Sequence, residues 1–247
     1  MIAALPMYDR PENRAAHDAL WALIRDALRG RGIEAPDALD REVAYDQGWE
    51  RPDLVIGQVC NLPWRARLRD RVTRIAASDY GLEGTEPGFY HSVMVARRGE
   101  ALPARPRFAL NSPLSNSGWD APQDWAAREG VAIRPVLITG AHAESARAVA
   151  EGRADLAGID AVTWRMLERW EPAAARLRVV GRTVATPGMT FVAAGTVDPA
   201  PRRAALAEAV AALPGEARAV LGLRGVAVLP DAAYERPLPP PPVLVAS

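Results

Sequence analysis

Short apolar runs alternate with amphipathic stretches along this chain, and the alternation predicts strand–helix units. Ile2 to Tyr8 is apolar and reads as a strand. Asp9-Arg10-Pro11-Glu12 follows, with a capping acid, a proline in the first turn and a glutamate three residues after the cap. Ala16, Leu20, Leu23, Ile24, Ala27 and Leu28 recur at helical spacing until Gly30 and Gly32 stop the helix. His17 lies within that helix and is expected on its surface. Asp53 to Gln58 reads as a buried strand, Cys60-Asn61-Leu62-Pro63 as the loop after it, then a short arginine-rich helix and a strand from Arg71 to Ala77.

Ser92 to Arg97 predicts a further strand, and the charged, proline-bearing segment 98–106 a crossover. A second α/β series begins with a strand at Arg107 to Asn111. It continues with a helix through Trp125 and Arg128, a strand at Val136 to Thr139 and a helix at Ala143 to Glu151. A strand at Asp155 to Asp160, a helix at Ala161 to Trp170 and a strand at Leu177 to Val184 complete it. Met189 to Ala194 is strand-like, two helical stretches follow near 202–213 and 215–221, and Pro237 to Pro242 predicts an extended tail. This order argues for an α/β protein with largely parallel sheets. Punctuation near 98–106 and 182–188 divides the chain into three blocks. The expected arrangement is one lobe from 1–97 and 187–247, a second from 104–182, and hinge segments at 98–103 and 183–186. Such a chain could open and close around a ligand.

Composition narrows the function classes. The 247 residues are 49% hydrophobic and 24% charged, the ordinary globular range, and net charge is zero, which argues against a nucleic-acid partner. Every basic residue is arginine, which excludes lysine Schiff-base chemistry and lysine-dependent phosphate loops. The single cysteine, Cys60, cannot form an intramolecular disulfide. No apolar run suggests membrane insertion, and Met1-Ile2-Ala3-Ala4-Leu5-Pro6 lacks the charged and apolar regions of a leader. The chain as given is therefore expected in the cytoplasm, or in the periplasm if a leader was removed.

In open α/β sheets ligands sit beyond the carboxyl ends of strands, so the loops there carry the candidate chemistry. Ser115-Asn116-Ser117-Gly118 opens a helix, where free N–H groups and rotatable hydroxyls suit an anion, or equally an ordinary N-cap. Thr139-Gly140-Ala141-His142 stands at a second such junction, with His142 either a donor to ligand or a surface residue after a tight turn. Asp160 ends a strand and could hold a cationic or hydroxyl group, or cap the next helix. In the first block Tyr8 could floor a cleft, Asn61 is the contact expected beside a packed Cys60, and Tyr90 is chosen from Tyr90-His91-Ser92. Trp164 is expected in the core.

The block Ser115-Asn116-Ser117-Gly118, then Gly140-Ala141-His142-Ala143-Glu144-Ser145, then 148–160 resembles the phosphonate/phosphate substrate-binding proteins of ABC transporters in order and spacing. The resemblance covers 95–195 well and the first block more loosely. It implies a two-lobed type 2 periplasmic-binding-protein fold, with mixed sheets flanked by helices, two hinge crossings and the ligand between the lobes. It further implies that Ser115, Asn116 and Ser117 meet an anionic group, that His142 donates from the next turn, and that Asp160 faces the ligand's other end. Asn116 stands where that family more usually has threonine. The Ser117 hydroxyl is expected to face an open, wet cleft. The expected partners are a small anionic or zwitterionic ligand and, for a transport component, an ABC transporter permease. The protein is expected to be a monomer without cofactor or metal. The alternative is a cytoplasmic enzyme of the same fold, similar to chorismate dehydratases, for which His142, Asp160 and Cys60 would be candidate groups. No nucleophile–base pair or metal-ligand spacing is visible in sequence, which favours binding without catalysis.

Overall fold

The computed structural model describes residues 1–44 and 46–245. The strands are β1 (Ile2–Ala4), β2 (Leu54–Val59), β3 (Val72–Asp79), β4 (Phe89–Tyr90), β5 (Ser92–Arg97) and β6 (Arg107–Leu110), then β7 (Arg134–Ile138), β8 (Leu156–Asp160), β9 (Leu177–Arg182), β10 (Thr186–Pro187), β11 (Thr190–Ala194) and β12 (Gly225–Ala227). The helices are α1 (Arg14–Arg29), the single turn α2 (Asn61–Pro63), α3 (Ala121–Arg128), α4 (His142–Ala150), α5 (Ala161–Trp170), α6 (Pro199–Ala212), α7 (Gly215–Leu221) and α8 (Asp231–Tyr234). The chain divides into two compact units, Met1–Phe89 with Pro187–Glu235, and Tyr90–Thr186 with Arg236 onward.

The first unit holds a sheet in the order β1-β2-β11-β3-β12. β1 and β2 are parallel, whereas β11 runs antiparallel to both its neighbours and β12 antiparallel to β3. Ile2, Trp49, Leu54, Trp64, Leu68, Val72, Val192 and Tyr234 form one core cluster there. The Arg74 guanidinium lies over Trp64 and Tyr234, 4.3 and 3.9 Å from the ring centroids, where the π faces attract its charge. α1 packs on α6 and α7, and its buried face includes His17, Leu20, Trp21, Ile24 and Leu28. His17 is thus buried rather than on the surface. Its position three and four residues before Leu20 and Trp21 puts it on the apolar face.

The second unit holds a sheet in the order β7-β6-β8-β5-β9, with β6 parallel to β7 and β8, and β5 antiparallel to β8 and β9. The sheets are therefore mixed rather than largely parallel. Ser92–Arg97, expected in the first lobe, is an interior strand of this second sheet. Its run Val93-Met94-Val95-Ala96 is buried throughout, as a strand covered on both faces must be. Segment 98–106 consequently joins β5 to β6 within one unit and is not a crossing. The chain changes units at 89/90 and 186/187, where β4 pairs with β10, and once more at 235/236.

That last passage corrects the placement of the tail with the first lobe. Residues 236–245 run along the second unit. Arg236 pairs with Asp120 at 3.5 Å and also with Asp124, the Trp119 indole N–H donates to the Pro240 carbonyl at 2.9 Å, and Val245 N–H donates to the Pro135 carbonyl at 2.9 Å. Proline-rich chain offers few N–H groups but free carbonyls, so a buried indole can hold it.

Trp119→Phe should lower the unfolding free energy by about 1 kcal/mol, the net value of one such hydrogen bond. Arg236→Ala should cost less, because its Asp124 partner is half exposed to water. Denaturant titration checks both. No loss in Trp119→Phe would mean the tail is not held there.

Candidate ligand-binding site

The Ser115-Asn116-Ser117 segment lies in the second unit, between β6 and α3. Ser115 is extended, and Asn116–Asp120 winds as a π-helix that runs into α3. The Ser115 carbonyl accepts from both Trp119 and Asp120 N–H, at 3.0 and 3.1 Å. The Ser115 hydroxyl accepts from Gly118 N–H at 2.9 Å. Ser115, not Ser117, is therefore the side chain that caps this turn. Wide turns of this kind are rare and gather at functional sites.

The Ser117 hydroxyl points elsewhere. It lies 2.8 Å from His142 Nε2 and 3.4 Å from the Ser115 hydroxyl. The Ser117 carbonyl accepts from the Ser92 hydroxyl at 2.9 Å. A Cβ added at Gly158 of β8 would come within 2.9 Å of that same carbonyl and 2.5 Å of Pro122. Glycine in this strand is thus what lets the turn lie against the sheet. Ser115, Asn116, Ser117 and His142 are all buried, Ser117 to 1% exposure, so its hydroxyl does not face the open, wet surroundings expected from sequence.

His142 is the first residue of α4, whose N-cap residue Ala141 supplies no side-chain cap. Burial lowers its pKa to about 4, against a smaller opposite effect from the Gly158 backbone, so the ring is neutral near pH 7. Nδ1 closes no hydrogen bond of normal geometry. The tautomer sets the direction of the Ser117–His142 bond: protonated at Nε2 the ring donates and frees the hydroxyl proton, whereas protonated at Nδ1 it accepts from the hydroxyl. The site then presents hydroxyl, imidazole and backbone donors rather than a fixed charge. A serine hydroxyl on a histidine nitrogen is also a nucleophile–base pair, which the sequence did not reveal. Here the base is held far below neutrality, and no carboxylate orients Nδ1 as in a hydrolytic triad.

Asn116 is wholly buried, and its nitrogen donates to the Tyr90 hydroxyl and the Thr186 hydroxyl, 3.1 Å each. Tyr90 thus joins the cluster through Asn116. Asp160 is fully buried and caps α5, its Oδ1 accepting from Val162 and Thr163 N–H at 2.7 and 3.0 Å. Of its two readings from sequence, the structure shows the cap. Thr186 escaped the sequence reading, since nothing local marks it, and Ser92 was passed over in favour of Tyr90 although it is the polar residue that opens a buried run.

Tyr8 and Asn61 belong to the first unit. Tyr8 is buried, edge-on to the Tyr80 ring at 5.0 Å, and follows β1 by a turn rather than ending a long strand. Asn61 opens α2 next to buried Cys60. Both its amide atoms are buried without a hydrogen-bond partner, as is Trp64 Nε1 one turn later. Trp164 packs in the core.

These two units are those of periplasmic-binding proteins, and the comparisons agree. PhnD1 from Prochlorococcus marinus in complex with methylphosphonate matches with TM-score 0.66 at 16% identity, covering 95% of this chain and 94% of that one. A binding-protein component of an ABC phosphonate transporter from Pseudomonas aeruginosa matches with TM-score 0.68 at 17% identity, covering 95% and 82%. A Xanthomonas citri protein bound to ATP matches with TM-score 0.67 at 17% identity, covering 94% and 92%. No curated protein matches the sequence. The model of the phosphonate ABC-transporter periplasmic substrate-binding proteins matches residues 2–233, and the chain belongs to that family. The family is one of solute-binding proteins that work with transporter components and are normally periplasmic, which gives the chorismate dehydratase-like alternative no support. Among the described residues no helix is long and apolar enough to cross a membrane.

The His142 shift has a definite sign. Its folded pKa lies below the unfolded value of about 6.5, so stability is full above pH 6.5 and is lost as pH falls toward 4. The loss should reach about 3 kcal/mol across that window. His142→Gln should reduce the slope of melting temperature against pH there. It should not abolish the slope, because burial also lowers the His17 pKa. An unchanged slope would show that His142 is not buried as a neutral ring.

Proposed function

We propose that this protein captures a small anionic or zwitterionic solute of phosphonate or phosphate type and does no chemistry on it. The observation that carries this reading is the Ser115–Ser117–His142 chain of hydrogen bonds at the starts of two helical segments. Free N–H groups and helix dipoles favour an anion at such places, and a neutral imidazole behind the serine hydroxyl lets that hydroxyl donate. Asn116 contributes from the same turn, with Tyr90 bracing it. Asp160 holds the start of α5 through Oδ1 and remains the contact proposed for the ligand's cationic or hydroxyl end. Tyr8 and Asn61 are the contacts proposed for the first unit; the unpartnered amide of Asn61 supports its assignment, since buried polar groups ordinarily find partners.

Calorimetry with inorganic phosphate, methylphosphonate and 2-aminoethylphosphonate tests the reading. At least one should bind. A hydrogen bond to a charged group contributes about 1.5–3 kcal/mol, so Ser117→Ala should weaken binding about 10- to 150-fold. The same variant should lower the stability of the ligand-free protein by about 1 kcal/mol, because the hydroxyl is buried against His142. A stability loss with undiminished affinity would place the ligand elsewhere.

The catalytic reading has its own test, supplied by the Ser117–His142 pair. Incubation with 4-nitrophenyl phosphate and 4-nitrophenyl acetate should give no saturable hydrolysis. Turnover that disappears in both Ser117→Ala and His142→Gln would make the pair a working nucleophile and base.

A further inference from the structure

The one amide in the turn is committed on one side and unpartnered on the other. Asn116 Nδ2 donates to the Tyr90 hydroxyl and to the Thr186 hydroxyl, 3.1 Å each, which uses both of its hydrogens. Its Oδ1 is buried with no hydrogen-bond partner, in a side chain of 0% exposure. An amide oxygen can only accept. The residues on either side are hydroxyls already linked to Gly118 N–H, to His142 and to each other. The turn thus sets a lone acceptor between two side chains suited to donate.

Resting on the anion-capture reading, we infer that Asn116 determines specificity: its Oδ1 accepts a hydrogen bond from the ligand, so the preferred ligand is an anion that still carries an acidic O–H beside its charged oxygens. A monoprotonated phosphoryl or phosphonyl group has that chemistry. Sulfate and other fully ionised or fully substituted oxyanions offer only lone pairs, which repel the lone pairs of Oδ1. Because Asn116 lies between Ser115 and Ser117 in one turn, the donor and the charged oxygens belong to the same head group. The amide orientation matters: turned over, it would present N–H to the ligand and favour the opposite class.

Calorimetry at pH 6 on the wild-type protein decides this with four probes. Methylphosphonate and dimethylphosphinate are both monoanions there and differ by one O–H replaced with a methyl group; phosphate and sulfate are tetrahedral and differ in carrying a proton. Methylphosphonate should bind at least about tenfold tighter than dimethylphosphinate, and phosphate at least about tenfold tighter than sulfate, the worth of one hydrogen bond made or refused. Asn116→Thr, whose hydroxyl can donate or accept, should bring phosphate and sulfate to within about threefold of one another. If that variant does not fold, the two wild-type comparisons still decide. Dimethylphosphinate or sulfate binding as tightly as its partner would overturn the inference alone. Silence from all four probes would overturn the anion-capture reading and this inference with it.

Discussion

The cluster of Ser115, Asn116, Ser117 and His142 turns on burying polar groups that carry no charge, while the buried Asp160 carboxylate nearby is held by the N–H groups that start α5. A carboxylate or guanidinium in the place of Ser117 or His142 would carry a desolvation cost of several kcal/mol, whereas hydroxyls, an amide and a neutral imidazole can be buried if each finds a partner. That condition shapes what surrounds them. The Ser115 hydroxyl takes Gly118 N–H, the Ser92 hydroxyl takes the Ser117 carbonyl, and Tyr90 and Thr186 take the Asn116 nitrogen. Gly158 is the backbone counterpart of the same condition, since any side chain there would push the turn off β8.

The π-helical winding follows from this. Ser115 has to stay extended to cap, while Ser117 has to reach across to the first residue of α4. Ser115 makes the cap to Gly118 N–H, and Ser117, inside the turn, turns its hydroxyl to His142. The tail contributes from the other end of the same turn, where Pro240 holds Trp119 and Arg236 meets Asp120.

Much of this was legible in the sequence. The three linked segments at 115–118, 140–145 and 148–160 carried the resemblance to the family by their order and spacing; the first two open helical segments and the third runs from the end of α4 through β8. Hydrophobic runs located nearly every long strand. Partner choice was not legible. The run Ser92 to Arg97 is largely apolar whichever sheet it joins, so its place between β8 and β9 depends on pairing across sixty or more residues. The tail carries no periodicity at all, and its place shows only in tertiary contacts such as those of Trp119, Arg236 and Val245. His17 was misplaced although its i, i+3, i+4 relation to Leu20 and Trp21 was readable, because a histidine was weighed by type rather than by position. Which serine caps the turn could not be told, since Ser115 and Ser117 both have the right chemistry and differ by one backbone conformation.

The claim on which the account rests is that an anion is met by a hydroxyl backed by a neutral, buried imidazole. Nitrogen-15 NMR of the His142 ring at pH 7, followed through a titration with methylphosphonate, tests it most directly. The account predicts a neutral ring protonated at Nε2 before addition and a saturable shift of its resonances as the anion binds. A ring already cationic at pH 7, or one unmoved while the protein takes up the anion, would contradict it.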